Sequence, residues 1–256
     1  MAYAQSQLFY RCFSTTSASE LKSGRYYNGH PALSTTEPLN EFHKHRRREN
    51  TQPTALVSVT NHPVEAVHRA LAKHYWFGED PGTIWVVIIR VPGIQKHKGL
   101  HHAKKLAQES QLKDVDIFKN EYLFEWEIPL EYEKHRISAQ TLLDQGIEGL
   151  LGLQNCASDF PRFAYLRGTL VGSILESDPY GAGRWIASLA QAFDTSTCIY
   201  QLASQILRSL LSGGYVNEDH QFVRLYASDM SDILDFSAIS VIELGIRDQL
   251  DSYFGI

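Results

Sequence analysis

The stretch TALVSVTNHPVEAVHRALAKHYW, residues 54–76, changes its periodicity once, at Asn61-His62-Pro63. Before the change residues alternate: Val57 and Val59 take one face of a strand, Ser58 and Thr60 the other. After it, Pro63 stands where a helix tolerates a missing N–H, and Val64, Val67, Ala70, Leu71 and His74 fall on one stripe. The following run, GTIWVVIIRV (82–91), is apolar throughout, the pattern of a central strand covered on both faces. Strand, helix and strand therefore follow one another over residues 54–91.

Two further runs flank this unit. QLFYRCF (7–13) alternates so that Phe9, Arg11 and Phe13 share a face, and Leu8, Tyr10 and Cys12 share the other. EYLFEWEIP (121–129) puts Tyr122, Phe124, Trp126 and Ile128 on an apolar face, and Glu121, Leu123, Glu125 and Glu127 on a mostly acidic one. From residue 139 the texture is helical. QTLLDQGIEGLLGL, GRWIASLAQAFD, TSTCIYQLASQILRSLL and SAISVIELGIRDQLDSYF each repeat apolar residues at i, i+3, i+4 and i+7. SGG at 212–214 ends the third, and ESDPYGAG (176–183) reads as a loop. The Gly-x-Gly of DPYGAGRW follows no strand, so it is no dinucleotide fingerprint.

With 256 residues, 43% of them hydrophobic, the chain can bury a sizeable core. A net charge of −5 disfavours a polyanion partner for the chain as a whole and leaves any such contact local. Cys12, Cys156 and Cys198 are too few and too scattered for a disulfide framework or a metal-binding pattern. No apolar run approaches the roughly 18 residues of a membrane span, and no basic segment followed by an apolar core opens the chain. The expectation is a soluble protein, cytoplasmic or a mature secreted effector. Two polar stretches read as irregular: 34–54, with His43, Lys44, His45, Arg46, Arg47 and Arg48, and 93–105, with His97, His101 and His102. They read as solvated loops, or as an electropositive rim over a phosphate-bearing ligand. Neither has an acid or cysteine at ligand spacing, so no metal is expected.

Arg11, Ser58 with Thr60, and Glu121 put a guanidinium, a hydroxyl pair and a carboxylate at or near strands of one sheet. A guanidinium fork matches phosphate, a hydroxyl on a strand can orient a ribose, and a carboxylate can stabilise an oxocarbenium-like transition state. Taken singly each has a plain reading: a strand arginine stacked on Phe9 and Phe13, a hydroxyl capping the helix at Pro63, a charge at a strand end.

In chain order, FYRCFS, VSVTNHPVEAVHRAL and FKNEYLFEWEIP resemble the three motifs of the cholera-toxin-like mono-ADP-ribosyltransferases, over residues 7 to about 138. The resemblance implies an α+β protein: an ADP-ribosyltransferase-like mixed split β-sheet core, the NAD-binding domain at 1–138, with an appended α-helical region at 139–256. It implies that Arg11 binds the phosphate or ribose side of NAD, that Ser58 and Thr60 serve the nicotinamide ribose, and that Glu121 is the catalytic acid. Glu125, two steps on along the same face, is its rival. Tyr26 and Tyr27, or Phe42, would stack on the nicotinamide. Lys119 stands where arginine-modifying members carry a glutamate, which points the acceptor away from arginine. The implied activity is transfer of ADP-ribose from NAD to a macromolecule, protein favoured over nucleic acid, in a toxin or effector. The competing class is a degenerate relative that binds partners through its helical half.

Overall fold

Strand β1(Gln7–Ser14) is apolar on both faces, with Leu8, Phe9 and Tyr10 fully buried, and it takes an interior place in the sheet. The fold is that of a computed structural model describing residues 6–34, 36–47, 52–93, 97, 99–154, 156, 159–216, 222–225 and 236–255. It is α+β. The other strands of the main sheet are β2(Leu56–Thr60), β3(Ile84–Val91), β4(Leu100–His102), β5(Glu121–Glu125) and β6(Glu133–Ser138), in the order β4-β5-β2-β1-β3-β6.

The pairings β1–β2, β1–β3, β2–β5 and β4–β5 are all antiparallel, where the sequence reading expects a mixed sheet. The reason lies in β1. Strands β2 and β3 point the same way, as a strand-helix-strand unit requires, but β1 lies between them and runs against both. The apolar run at 84–91 behaves as expected: Ile84, Val86, Val87, Ile88, Ile89 and Val91 are fully buried.

One face of the sheet packs Phe9, Phe13, Val57, Val59, Val87, Ile89, Val91 and Phe124 with Leu21 and Ile128. On the other, Leu56 and Leu123 meet Phe42 of α1(Glu37–His45) and Ala103, Leu106 and Ala107 of α3(Ala103–Glu109). Both helices, and β4, arise in the stretches read as irregular. Each helix shows only two or three apolar residues among charges, too few to register as a period. Arg48 of the first basic stretch and residues 94–96 and 98 of the second lie outside the described residues. Strand β5 stops at Glu125 rather than running to 129, because Trp126 adopts φ 62°, a left-handed conformation that ends the alternation.

The chain divides into two compact units, residues 1–62 with 83–136 and residues 63–82 with 137–256. The first holds the main sheet. Helix α2(Pro63–Phe77), begun at Pro63 as expected, clusters with the second unit. That unit also contains α4(Ala139–Asp144), α5(Ile147–Leu150), α6(Phe163–Glu176), α7(Pro179–Gln191), α8(Ile199–Leu211) and α9(Phe236–Phe254). It departs from the all-helical reading by an antiparallel strand pair, β7(Gly213–Val216) and β8(Phe222–Leu225); α8 ends at an extended Ser212, and the glycines read as its stop open β7. The expected loop at 176–183 shrinks to two residues, since Asp178 caps α7 by accepting from the Gly181 N–H at 2.8 Å. Helix α6, not singled out in the sequence, buries Leu166, Leu170, Val171 and Ile174.

Helices α7 and α9 cross at Gly183 and Gly245. A Cβ at Gly183 would collide with the carbonyl of Ile242 and the Cα of Gly245, and one at Gly245 with the carbonyl of Tyr180. Gly183→Ala should therefore destabilise the protein by about 1–3 kcal/mol through overpacking. Gly172→Ala, in α6 with nothing within 4 Å, should be neutral or stabilising by up to about 1 kcal/mol. Denaturant unfolding of the two variants checks the contrast.

Candidate functional site

Strands β1 and β3 pair along their whole length, Gln7↔Val91 to Ser14↔Ile84, and β2 and β5 pair from Leu56↔Glu125 to Thr60↔Glu121. Between β1 and β2 there is a single pair, Tyr10↔Thr60. The sheet opens into a seam from that point. Arg11, the next residue of β1, fills it.

The Arg11 guanidinium donates from Nη1 to the Ser58 carbonyl at 2.6 Å, from Nε to the Glu20 carbonyl at 2.5 Å, and from Nη2 to Ser19 O at 2.8 Å and Ser19 Oγ at 2.9 Å. Only 8% of the residue is exposed. The charge that the sequence sets between two phenylalanines is thus met by carbonyl dipoles of β2 and of the segment after β1. Helix α1 ends nearby: Nδ1 of His45 lies 2.9 Å from Thr54 Oγ1, and burial, helped by the Arg11 charge, pulls its pKa down to about 4.

Register puts Leu56, Ser58 and Thr60 on one face with Glu121, Leu123 and Glu125. Ser58 is half-buried, and Glu121 stands directly opposite Thr60 at the start of β5. Thr60 is 2% exposed and its Oγ1 accepts from the His62 N–H at 3.1 Å, which forms the turn into Pro63. Its hydroxyl closes a local turn ahead of the helix rather than capping it. Glu125, by contrast, is held: Oε2 accepts from the Leu33 N–H at 3.1 Å and Oε1 lies 2.7 Å from His101 Nε2.

Tyr26 and Tyr27 belong to an aromatic group built on Trp126. His30 stacks on Trp126 at 4.8 Å, Tyr27 meets both rings edge-on, and the Arg25 guanidinium lies 5.8 Å over the indole. Tyr26 is capped by Lys22 Nζ at 4.3 Å, whereas Tyr27 is 56% exposed and presents its ring to solvent. Phe42, the third aromatic named from the sequence, is a core residue at 1% exposure and is closed to a ligand.

Two carboxylates tie this region together: Glu125, read from the sequence only as a rival acid, and Glu41, which sequence reasoning missed. Glu125 joins β4 to the loop at Leu33. Glu41 on α1 accepts from Arg25 and Lys44, each at 2.9 Å, and from the Ala55 N–H at 2.7 Å. Its neighbour across the motif, Trp126, donates from Nε1 to the Pro31 carbonyl at 2.9 Å. None has a local signal, because each partner lies on another element.

A family model for a domain of unknown function, DUF7587, matches residues 4–142, more than half of the chain. The chain belongs to that family. The matched DUF7587 region contains Arg11, Ser58, Thr60, Glu121 and Glu125, and so the whole of the site just described. No curated protein and no solved structure matches the chain.

Two outcomes follow from this geometry. Arg11→Met leaves three carbonyls without their donor and should lower stability by about 3 kcal/mol, read by denaturant unfolding. For Glu41, burial pushes the carboxyl pKa up, but the Ala55 N–H, Lys44 and Arg25 outweigh it, and the net shift is downward from 4.5. A carboxyl depressed in the folded state contributes stability above its unfolded pKa and loses it as pH falls through the folded value. Stability should therefore drop below about pH 4.5, and Glu41→Gln should flatten that acid limb while lowering stability at pH 7.

Proposed function

We propose that the chain is an NAD-dependent mono-ADP-ribosyltransferase, or a close variant that uses water as the acceptor. The observation that carries this reading is the sheet order. Ser58 and Glu121, far apart in the chain, ride on the neighbouring strands β2 and β5 with their side chains on one face, while Arg11 of β1, on the face of Phe9 and Phe13, reaches the Ser58 carbonyl where the sheet opens.

Glu121 acts as the acid. Half-buried at a strand start, its carboxylate is positioned to stabilise the positive charge that develops on the nicotinamide ribose as the bond to nicotinamide breaks. The Ser58 hydroxyl, on the same face, orients that ribose. Arg11 serves the site by holding the Ser58 strand through its carbonyl. In this reading Tyr27 supplies the exposed ring that stacks on a planar base. Glu125, already held by Leu33 and His101, is less suited to the acid role. The acceptor is a macromolecule, protein in preference to nucleic acid, because a net charge of −5 disfavours a polyanion partner for the chain as a whole. No helix among the described residues is long and apolar enough to cross a membrane.

A second reading, a binding protein without catalysis, is favoured by one observation: the engagement of the Arg11 guanidinium with three carbonyls, which an incoming phosphate would have to displace.

Incubation with labelled NAD separates the two. The wild type should release nicotinamide, and Glu121→Gln should reduce the rate by about 10²–10³-fold, the scale of losing one charge-stabilising group. No release above background from the wild type establishes the binding reading. Activity that survives Glu121→Gln but not Glu125→Gln transfers the acid role to Glu125.

A further inference from the structure

Glu125 and His101 lie on neighbouring strands, on the sheet face that also carries Ser58 and Glu121. The Glu125 side chain is 9% exposed and fixed at both oxygens. A carboxylate only accepts, so the 2.7 Å contact puts the proton of a neutral imidazole on Nε2 and leaves the lone pair on Nδ1. A group needed only to balance the buried carboxylate could equally be a lysine. Imidazole adds a nitrogen that exchanges protons near neutral pH.

His101 also lines a cavity of about 200 Å³ between the start of α1 and the β4–α3 corner. Pro38 and Leu39 form its apolar wall, and His102, Lys105 and Glu109 its polar one. His102 is fixed by Nε2 at 2.8 Å from the Lys119 carbonyl and by stacking on Tyr122. Register sets His101 opposite Leu123, two residues along β5 from Glu121, or about 7 Å along the strand. The pair is therefore outside the proposed ribose site and beside it.

We propose that this cavity admits the acceptor of the ADP-ribose group, that the acceptor is a hydroxyl, and that His101, oriented by Glu125, is its general base. The proposal rests on the transferase reading. The bond from the ribose carbon to nicotinamide breaks and its electron pair leaves with nicotinamide, which becomes neutral. The acceptor oxygen bonds to that carbon, and its proton passes to Nδ1 of His101, giving an imidazolium beside the Glu125 carboxylate. A guanidinium acceptor does not fit, since an imidazole cannot deprotonate it. The charged and titratable groups around His101 are Glu125 on β5, His97 before β4, His102 on β4, and Lys105 and Glu109 on α3; Pro38 and Leu39 of α1 are uncharged.

The test uses the full chain, NAD, and water as the probe acceptor. His101→Gln keeps an N–H donor for Glu125 and removes the base. It should lower kcat about 10²-fold, leave KM for NAD nearly unchanged, and abolish the imidazole limb of the pH profile, with no change in the unfolding midpoint. Leu39→Trp, which fills the cavity and leaves the pair intact, should also lower turnover. No nicotinamide release from the wild type overturns the transferase reading and this one with it. Release that His101→Gln leaves unaltered in rate and pH profile overturns the base assignment alone, and full turnover in Leu39→Trp overturns the cavity as the acceptor's place.

Discussion

The first unit depends on a guanidinium lodged in a parted sheet. After one pair with β2, strand β1 continues along β3 alone, and the carbonyls that a complete ladder would satisfy need another donor. Arg11 supplies it from within the seam, to Ser58 on one side and to Ser19 and Glu20 on the other. Each such charged hydrogen bond contributes about 1.5–3 kcal/mol, and desolvating the guanidinium costs several kcal/mol, so the net gain is modest. What the arrangement fixes is geometry, because a rigid fork tolerates only one spacing between the segments it joins.

The carboxylates extend the same logic. Glu41 joins α1 to Arg25 and to the backbone entering β2, and Glu125 joins β4 and β5 to the loop at Leu33. Together with Trp126, which accepts from Ser23 and donates to Pro31, they fasten residues 19–33 along the strands that carry the candidate site. A segment whose only ladder contact is the Lys22–Glu127 bridge thereby acquires a defined path.

Much of the scaffold was legible because its signals are local. Alternation located β1, β2 and the start of β5, an unbroken apolar run located β3, and Pro63 with its stripe located α2. The shared face of Ser58 and Thr60 followed from period two alone, whereas Glu121 joins that face only through the β2–β5 register. Less legible were α1, α3 and β4, whose few apolar residues sit among histidines, lysines and arginines and become helical or paired only by covering Leu56 and Leu123. Trp126 continued the alternation on paper, yet its positive φ ends β5, a backbone choice set by hydrogen bonds to Ala55 and Ser23.

The sequence by itself determined that a strand arginine, a hydroxyl-bearing strand and an acid-led strand exist, because strand periodicity needs only neighbouring residues. Which strands stand side by side was decided by β1 entering between β2 and β3 and by β5 pairing on the far edge of β2. The tertiary structure also decided that Arg11 faces carbonyls, that Thr60 is spent on a turn, and that Glu125 answers to His101. Those outcomes depend on partners brought together from distant parts of the chain, and residue spacing carries no record of them.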